Sequence, residues 1–145
     1  MNIYQVYYKS GRREDITFRI LNIIIMEDIR KEQKEALQTL MEFNEKLVKN
    51  MNIIIKELTG NRLDDTDNFL QGIVDAINWE VQVVNGTIDM LNDGKERINK
   101  EEFNSGIVRL ADAIGKKDDG AIAEAIKNLI PEFEKLGLSA AEVTA

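Results

Sequence analysis

Residues 27–58, EDIRKEQKEALQTLMEFNEKLVKNMNIIIKEL, decide the fold. Ile29, Ala36, Leu40, Phe43, Leu47, Met51, Ile54 and Leu58 recur at helical intervals, and Leu37, Met41, Val48 and Ile55 widen the same apolar stripe. Gly60 supplies a C-terminal stop. Such a helix is about 48 Å long at the standard rise, more than a compact domain of this size needs by itself. Partner helices or a second copy must cover it.

Downstream, the same period returns three times. Leu70, Ile73, Ile77, Val81, Val84, Ile88 and Leu91 trace a second helix. The β-rich run Trp79–Val84 and the turn pair Asn85-Gly86 argue for a hairpin over 79–91, but the three-four spacing crosses them without losing phase. Helix is therefore expected, with a glycine penalty of about 1 kcal/mol at Gly86. Asp64-Asp65-x-Asp67 reads as the cap of this helix, since it lacks the glycine and closing glutamate of a calcium loop. Asn99 with Glu102 forms an approximate capping box before Phe103, Ile107, Leu110 and Ile114. Lys116 to Gly120 reads as a connection and cap for a fourth stripe, Ala121 to Leu136, ended by Gly137. Pro131 predicts a kink or break near Ile130.

The N-terminal segment alternates instead. Ile3, Gln5 and Tyr7 oppose Tyr4, Val6 and Tyr8, Ser10 to Arg13 is turn material, and Ile16, Phe18 and Ile20 alternate with Thr17 and Arg19. Strands over 2–9 and 15–21 are predicted, closing a hairpin whose free edge would offer a dimer contact. Met26 directly before Glu27-Asp28 offers a second start, which would make 1–25 an upstream extension. The expected fold is mainly α: an antiparallel bundle of about four helices over 26–137, an N-terminal β-hairpin over 1–25 and a frayed tail over 138–145.

Composition narrows the chemistry. The 145 residues include no cysteine and no histidine, which removes thiolate metal sites, disulfides, cysteine nucleophiles and histidine-based catalysis. A net charge of −7 disfavours phosphate backbones and anionic membranes, although the first 21 residues carry +2. Arg12-Arg13 beside three tyrosines is accordingly read as an exposed turn rather than a nucleic-acid contact. Arg19 and Asn22 interrupt the apolar run before Ile23-Ile24-Ile25-Met26, so neither a secretory signal nor a membrane span is expected, and a cytoplasmic location follows.

Two sets of residues carry functional readings. Met41, Met51 and Met90 form an adaptable methionine-bearing surface, and Trp79, the only tryptophan, is read either as a core anchor or as part of a recognition groove. Together these four are the expected partner-binding residues. Glu32-x-x-Glu35 and Glu42-x-x-Glu45 place paired carboxylates on one helix and would suit a magnesium-dependent all-α nucleotide pyrophosphohydrolase. Interleaved Arg30, Lys31, Lys34, Lys46 and Lys49 favour a solvated ion-paired face instead.

Phe69-Leu70-Gln71-Gly72-Ile73, Trp79, Leu110-Ala111-Asp112-Ala113-Ile114 and Leu129-Ile130-Pro131-Glu132-Phe133-Glu134-Lys135-Leu136 carry a resemblance over residues 68–136. In their order they resemble an uncharacterised family of small, acidic, all-helical bacterial proteins loosely labelled molecular chaperones. Gly120-Ala121-Ile122-Ala123 replaces the aromatic–acidic, leucine-rich run usual there. The resemblance implies a helical interaction protein with no catalytic signature. The expected function is non-catalytic and chaperone-like, holding an amphipathic segment of a protein partner without cofactor or metal, with the magnesium hydrolase or a purely structural oligomer, such as a homodimer, as alternatives.

Overall fold

The computed structural model describes the backbone of residues 12–145 and the side chains of residues 16–145. Four helices follow in order: α1 Arg12–Leu58, α2 Thr66–Leu91, α3 Lys100–Gly115 and α4 Asp119–Thr144. The chain divides into two units, one ending at Glu35 and the other comprising Ala36–Ala145.

The second unit is a bundle whose phase is set by α1. Leu37, Leu40, Asn44, Leu47, Met51, Ile54 and Leu58 are buried at alternating steps of three and four, a seam pattern that keeps one face of the helix inward. Burial of Leu40, Leu47 and Ile54 agrees with the periodicity. Phe43 does not sit on the seam; Asn44 does, and Phe43 is 53% exposed. Leu47→Ala is expected to lower the unfolding free energy by about 2–5 kcal/mol in urea titration, and a loss below about 0.5 kcal/mol would contradict this phase.

Helix α4 runs antiparallel to α1 and to α3, as cross-contacts show. On α1 and α4, the Asn44 amide donates to the Phe133 carbonyl at 2.9 Å, and the Thr144 hydroxyl lies 3.6 Å from the Met41 sulfur. On α3 and α4, the Phe103 and Phe133 rings pack at 5.3 Å, and a Cβ on Gly106 would meet Leu129 at 2.6 Å. Gly137 also faces α1 closely: a Cβ there would lie 2.6 Å from the Asn44 amide nitrogen, so the Asn44 side chain would have to shift.

The connections are closed by specific polar contacts. Asn99 and Asp118 accept from the backbone N–H of Glu102 and Ala121, each at 3.1 Å, so both expected caps are present. The acidic cluster before α2 behaves differently. Asp65 makes no side-chain cap; the Thr66 hydroxyl instead accepts from the Leu63 N–H and donates to Glu57, both at 2.8 Å. Arg62 reaches Asp67 at 2.8 Å and Asp119 at 2.7 Å, an exposed pairing that holds the Asp119 carboxyl below its ordinary range. Asn92 accepts from the N–H groups of Arg97 and Ile98 and donates to the Ile98 carbonyl, folding the α2–α3 turn around Gly94, whose φ of +79° suits glycine.

Three expectations are corrected. Residues 15–21 lie within α1, so the β-hairpin is overturned and its edge-strand dimer contact falls with it; residues 2–9 lie outside the described residues. Ile16 and Ile20 are as compatible with a four-residue step as with alternation. Extending an existing helix adds one hydrogen bond per residue without a new nucleus, whereas an isolated hairpin is marginal. Pro131 causes no break, because α4 continues to Thr144. Pro131 itself is exposed, while the flanking Leu129, Phe133 and Leu136 are fully buried and hold the helix on the bundle. The expected frayed tail is likewise helical as far as Thr144, with Ser139, Ala140 and Thr144 buried.

Candidate functional site

On α2 the buried positions are Thr66, Leu70, Ile73, Ile77, Glu80, Val84, Thr87 and Leu91, again at steps of four and three. A glutamate thus occupies a seam position between Ile77 and Val84. Its residue exposure is 0%, and among the described residues neither carboxyl oxygen has a hydrogen-bond partner. Loss of hydration without a compensating donor pushes Glu80 up to about 8.

One helical step before it, Trp79 is 38% exposed and meets Phe43 of α1 edge to face, with ring centroids 5.5 Å apart. Phe43, Asp75, Ala76, Trp79 and Glu80 line a cavity of about 450 Å³. A second cavity of about 380 Å³ shares Phe43 and Ala76 and continues past Leu47, Phe69, Gly72 and Ile73. The two form a mainly apolar groove between α1 and α2, with Lys46, Asn50 and Asn68 beside Phe69 and Asp75 near Trp79. Asp75 accepts from Gln71 at 2.9 Å. Each cavity is within the size range of small-ligand sites, and aromatic walls with few polar groups suit anchoring side chains.

The expected partner-binding residues do not form one surface. Met51 is fully buried in the core, and Met41 and Met90 are partly buried against it. Met41 instead lines a separate cavity of about 390 Å³ with Asn44, Glu45, Val48, Glu134, Gly137 and Leu138. Of the four, only Trp79 lies in the groove. Glu32, Glu35, Glu42 and Glu45 are all exposed, and among the described residues no group of three or more acidic side chains is placed to hold a metal ion. Among the described residues, too, no helix is long and apolar enough to cross a membrane.

Phe43 and Glu80 line the groove and were not among the partner-binding residues singled out from the sequence. The signal for Glu80 was present: once Ile73, Ile77, Val84 and Leu91 are placed on one seam, position 80 falls on it too.

Residues 35–138 match the family described as "Domain of unknown function (DUF8042)". The match encloses residues 68–136 and opens beside the border between the two units at Glu35 and Ala36. No curated protein and no solved structure shows significant similarity to the chain.

Proposed function

Because the chain belongs to the DUF8042 family, whose description assigns no activity, we propose on physical grounds that it is a non-catalytic helical interaction protein. It holds an amphipathic segment of a protein partner in the α1–α2 groove, in a chaperone-like role in the cytoplasm. The observation that carries this reading is the pair Phe43 and Trp79, two large rings left exposed on a bundle that fully buries Phe103 and Phe133 and partly buries Phe69 beside the same groove. Exposed aromatics beside an apolar groove are the usual anchors for a docked helix.

A labelled 18-residue Leu/Lys amphipathic helix serves as probe in fluorescence anisotropy. Binding is expected to weaken at least tenfold on Phe43→Ala, with the helical circular dichroism of the protein retained. Undiminished binding by that variant would remove the groove from the reading.

A second reading, self-association, has its own observation. Ile16, Ile20, Ile23 and Ile24 of α1 recur at steps of four, three and one and are 48–61% exposed, an apolar row outside the matched family region. If this row joins two copies, Ile20→Lys with Ile23→Lys converts a dimer to a monomer in sedimentation velocity. A wild-type monomer across the accessible concentration range would exclude it.

A further inference from the structure

We infer that the cavity bounded by Phe43, Trp79 and Glu80 seats the alkylammonium group of a lysine side chain carried by the docked segment. This deepens the docking reading and rests on it. Position 80 lies on the α2 seam between the apolar Ile77 and Val84, yet it holds a carboxyl group shielded from water, with no hydrogen-bond partner for either oxygen among the described residues. In the free protein burial favours the protonated acid, and the ionised form is compensated by a group that brings both positive charge and hydrogen-bond donors. The other walls specify the shape of that group. Phe43 and Trp79, packed edge to face, supply the aromatic surface that attracts a cation, and the mainly apolar lining suits a methylene stem. An ammonium is a compact charge with three rotatable donors at the end of a flexible stem, a better match to one carboxylate beneath apolar walls than the planar fork of a guanidinium.

Charge complementarity points the same way. Asp75 adds a second carboxylate to the lining, and among the described residues no basic side chain contributes to it. Residues 36–145 carry 12 lysines and arginines against 20 aspartates and glutamates, which favours encounter with a basic segment.

Trp79 is the only tryptophan in the chain, so its emission reports directly on this cavity. The full-length protein is titrated with n-butylammonium chloride and, separately, with n-butanol at pH 8.5, above the value of about 8 to which burial pushes Glu80. A saturable emission change is expected, with the ammonium binding at least tenfold more tightly than the alcohol, and Glu80→Gln is expected to abolish that preference. Equal binding of the two probes, or an unchanged preference in Glu80→Gln, overturns the inference. The Leu/Lys helix separates it from the docking reading. If that peptide binds wild type and Glu80→Gln equally, docking stands and the lysine assignment falls. If the peptide does not bind but the Glu80-dependent preference for n-butylammonium persists, the cation site stands and the helix-docking reading falls, taking the lysine source with it.

Discussion

Glu80→Met is expected to raise the free energy of unfolding by about 2–4 kcal/mol at pH 8.5, and by clearly less at pH 4.5. The folded protein retains the Glu80 proton up to a pH of about 8, whereas the unfolded chain releases it near the ordinary value of 4.5. Between those values the unfolded state binds fewer protons than the folded state, so this group makes stability fall as pH rises. The penalty is complete above about pH 8 and absent below about pH 4.5. Methionine has a similar length and no charge, so it removes the pH-dependent part and leaves the packing nearly unchanged. Urea titrations of both proteins at the two pH values measure the effect, and comparing them cancels the titration of every other group. A stability difference that is the same at pH 4.5 and pH 8.5 would mean that folding does not raise the Glu80 pKa, because its carboxylate is hydrated or charge-paired in the folded state.

A stabilising substitution at a seam position is informative about function. Polar groups that weaken a core persist where they serve recognition or specificity, and Asn44 and Glu80 show two versions of this. Asn44 donates to the Phe133 carbonyl across the α1–α4 interface and so helps to fix which helices meet and in what register. Glu80 makes no such bond and lines the groove wall instead.

The legible part of the fold was the part encoded by long periodic stripes. Helix existence and order along residues 27–136 followed from apolar spacing, including the crossing of Asn85-Gly86, because a three-four pattern sustained over many turns outweighs a local turn signal. The illegible parts were those in which two periods fit the same residues. Over 15–21, Ile16, Phe18 and Ile20 satisfy alternation, while Ile16, Ile20, Ile23 and Ile24 satisfy a helix; continuity with the following helix decides between them. Phase was the second difficulty. Phe43 and Asn44 are adjacent on α1, and hydrophobicity favours burying the phenylalanine, yet the seam through Leu40, Leu47 and Met51 admits Asn44 equally well. Its amide is accommodated because α4 places Gly137 and the Phe133 carbonyl opposite it, information that lies about 90 residues away in sequence. The groove was hidden for the same reason: Phe43 and Trp79 become neighbours only after both helix phases are fixed.

Two phenylalanines on opposite sides of that distinction give the last expected result. Phe133→Ala is expected to cost about 3–5 kcal/mol, because its ring is fully buried and packs on Phe103 at 5.3 Å between α3 and α4. A double-mutant cycle with Phe103→Leu should return a coupling of about 0.5–1.5 kcal/mol, the range found for interacting rings. The Asn44 bond is made to the backbone carbonyl of residue 133 and can survive loss of the ring, so Asn44→Ala combined with Phe133→Ala reports α1–α4 contact separately from α3–α4 packing. Phe43→Ala, by contrast, should cost less than about 1 kcal/mol, since that ring is more than half exposed. The contrast is measurable in one set of urea titrations. If Phe133→Ala were as mild as Phe43→Ala, the α3–α4 core would be misassigned; if Phe43→Ala were as severe as Phe133→Ala, its ring would belong to the core and the groove would lose its anchor.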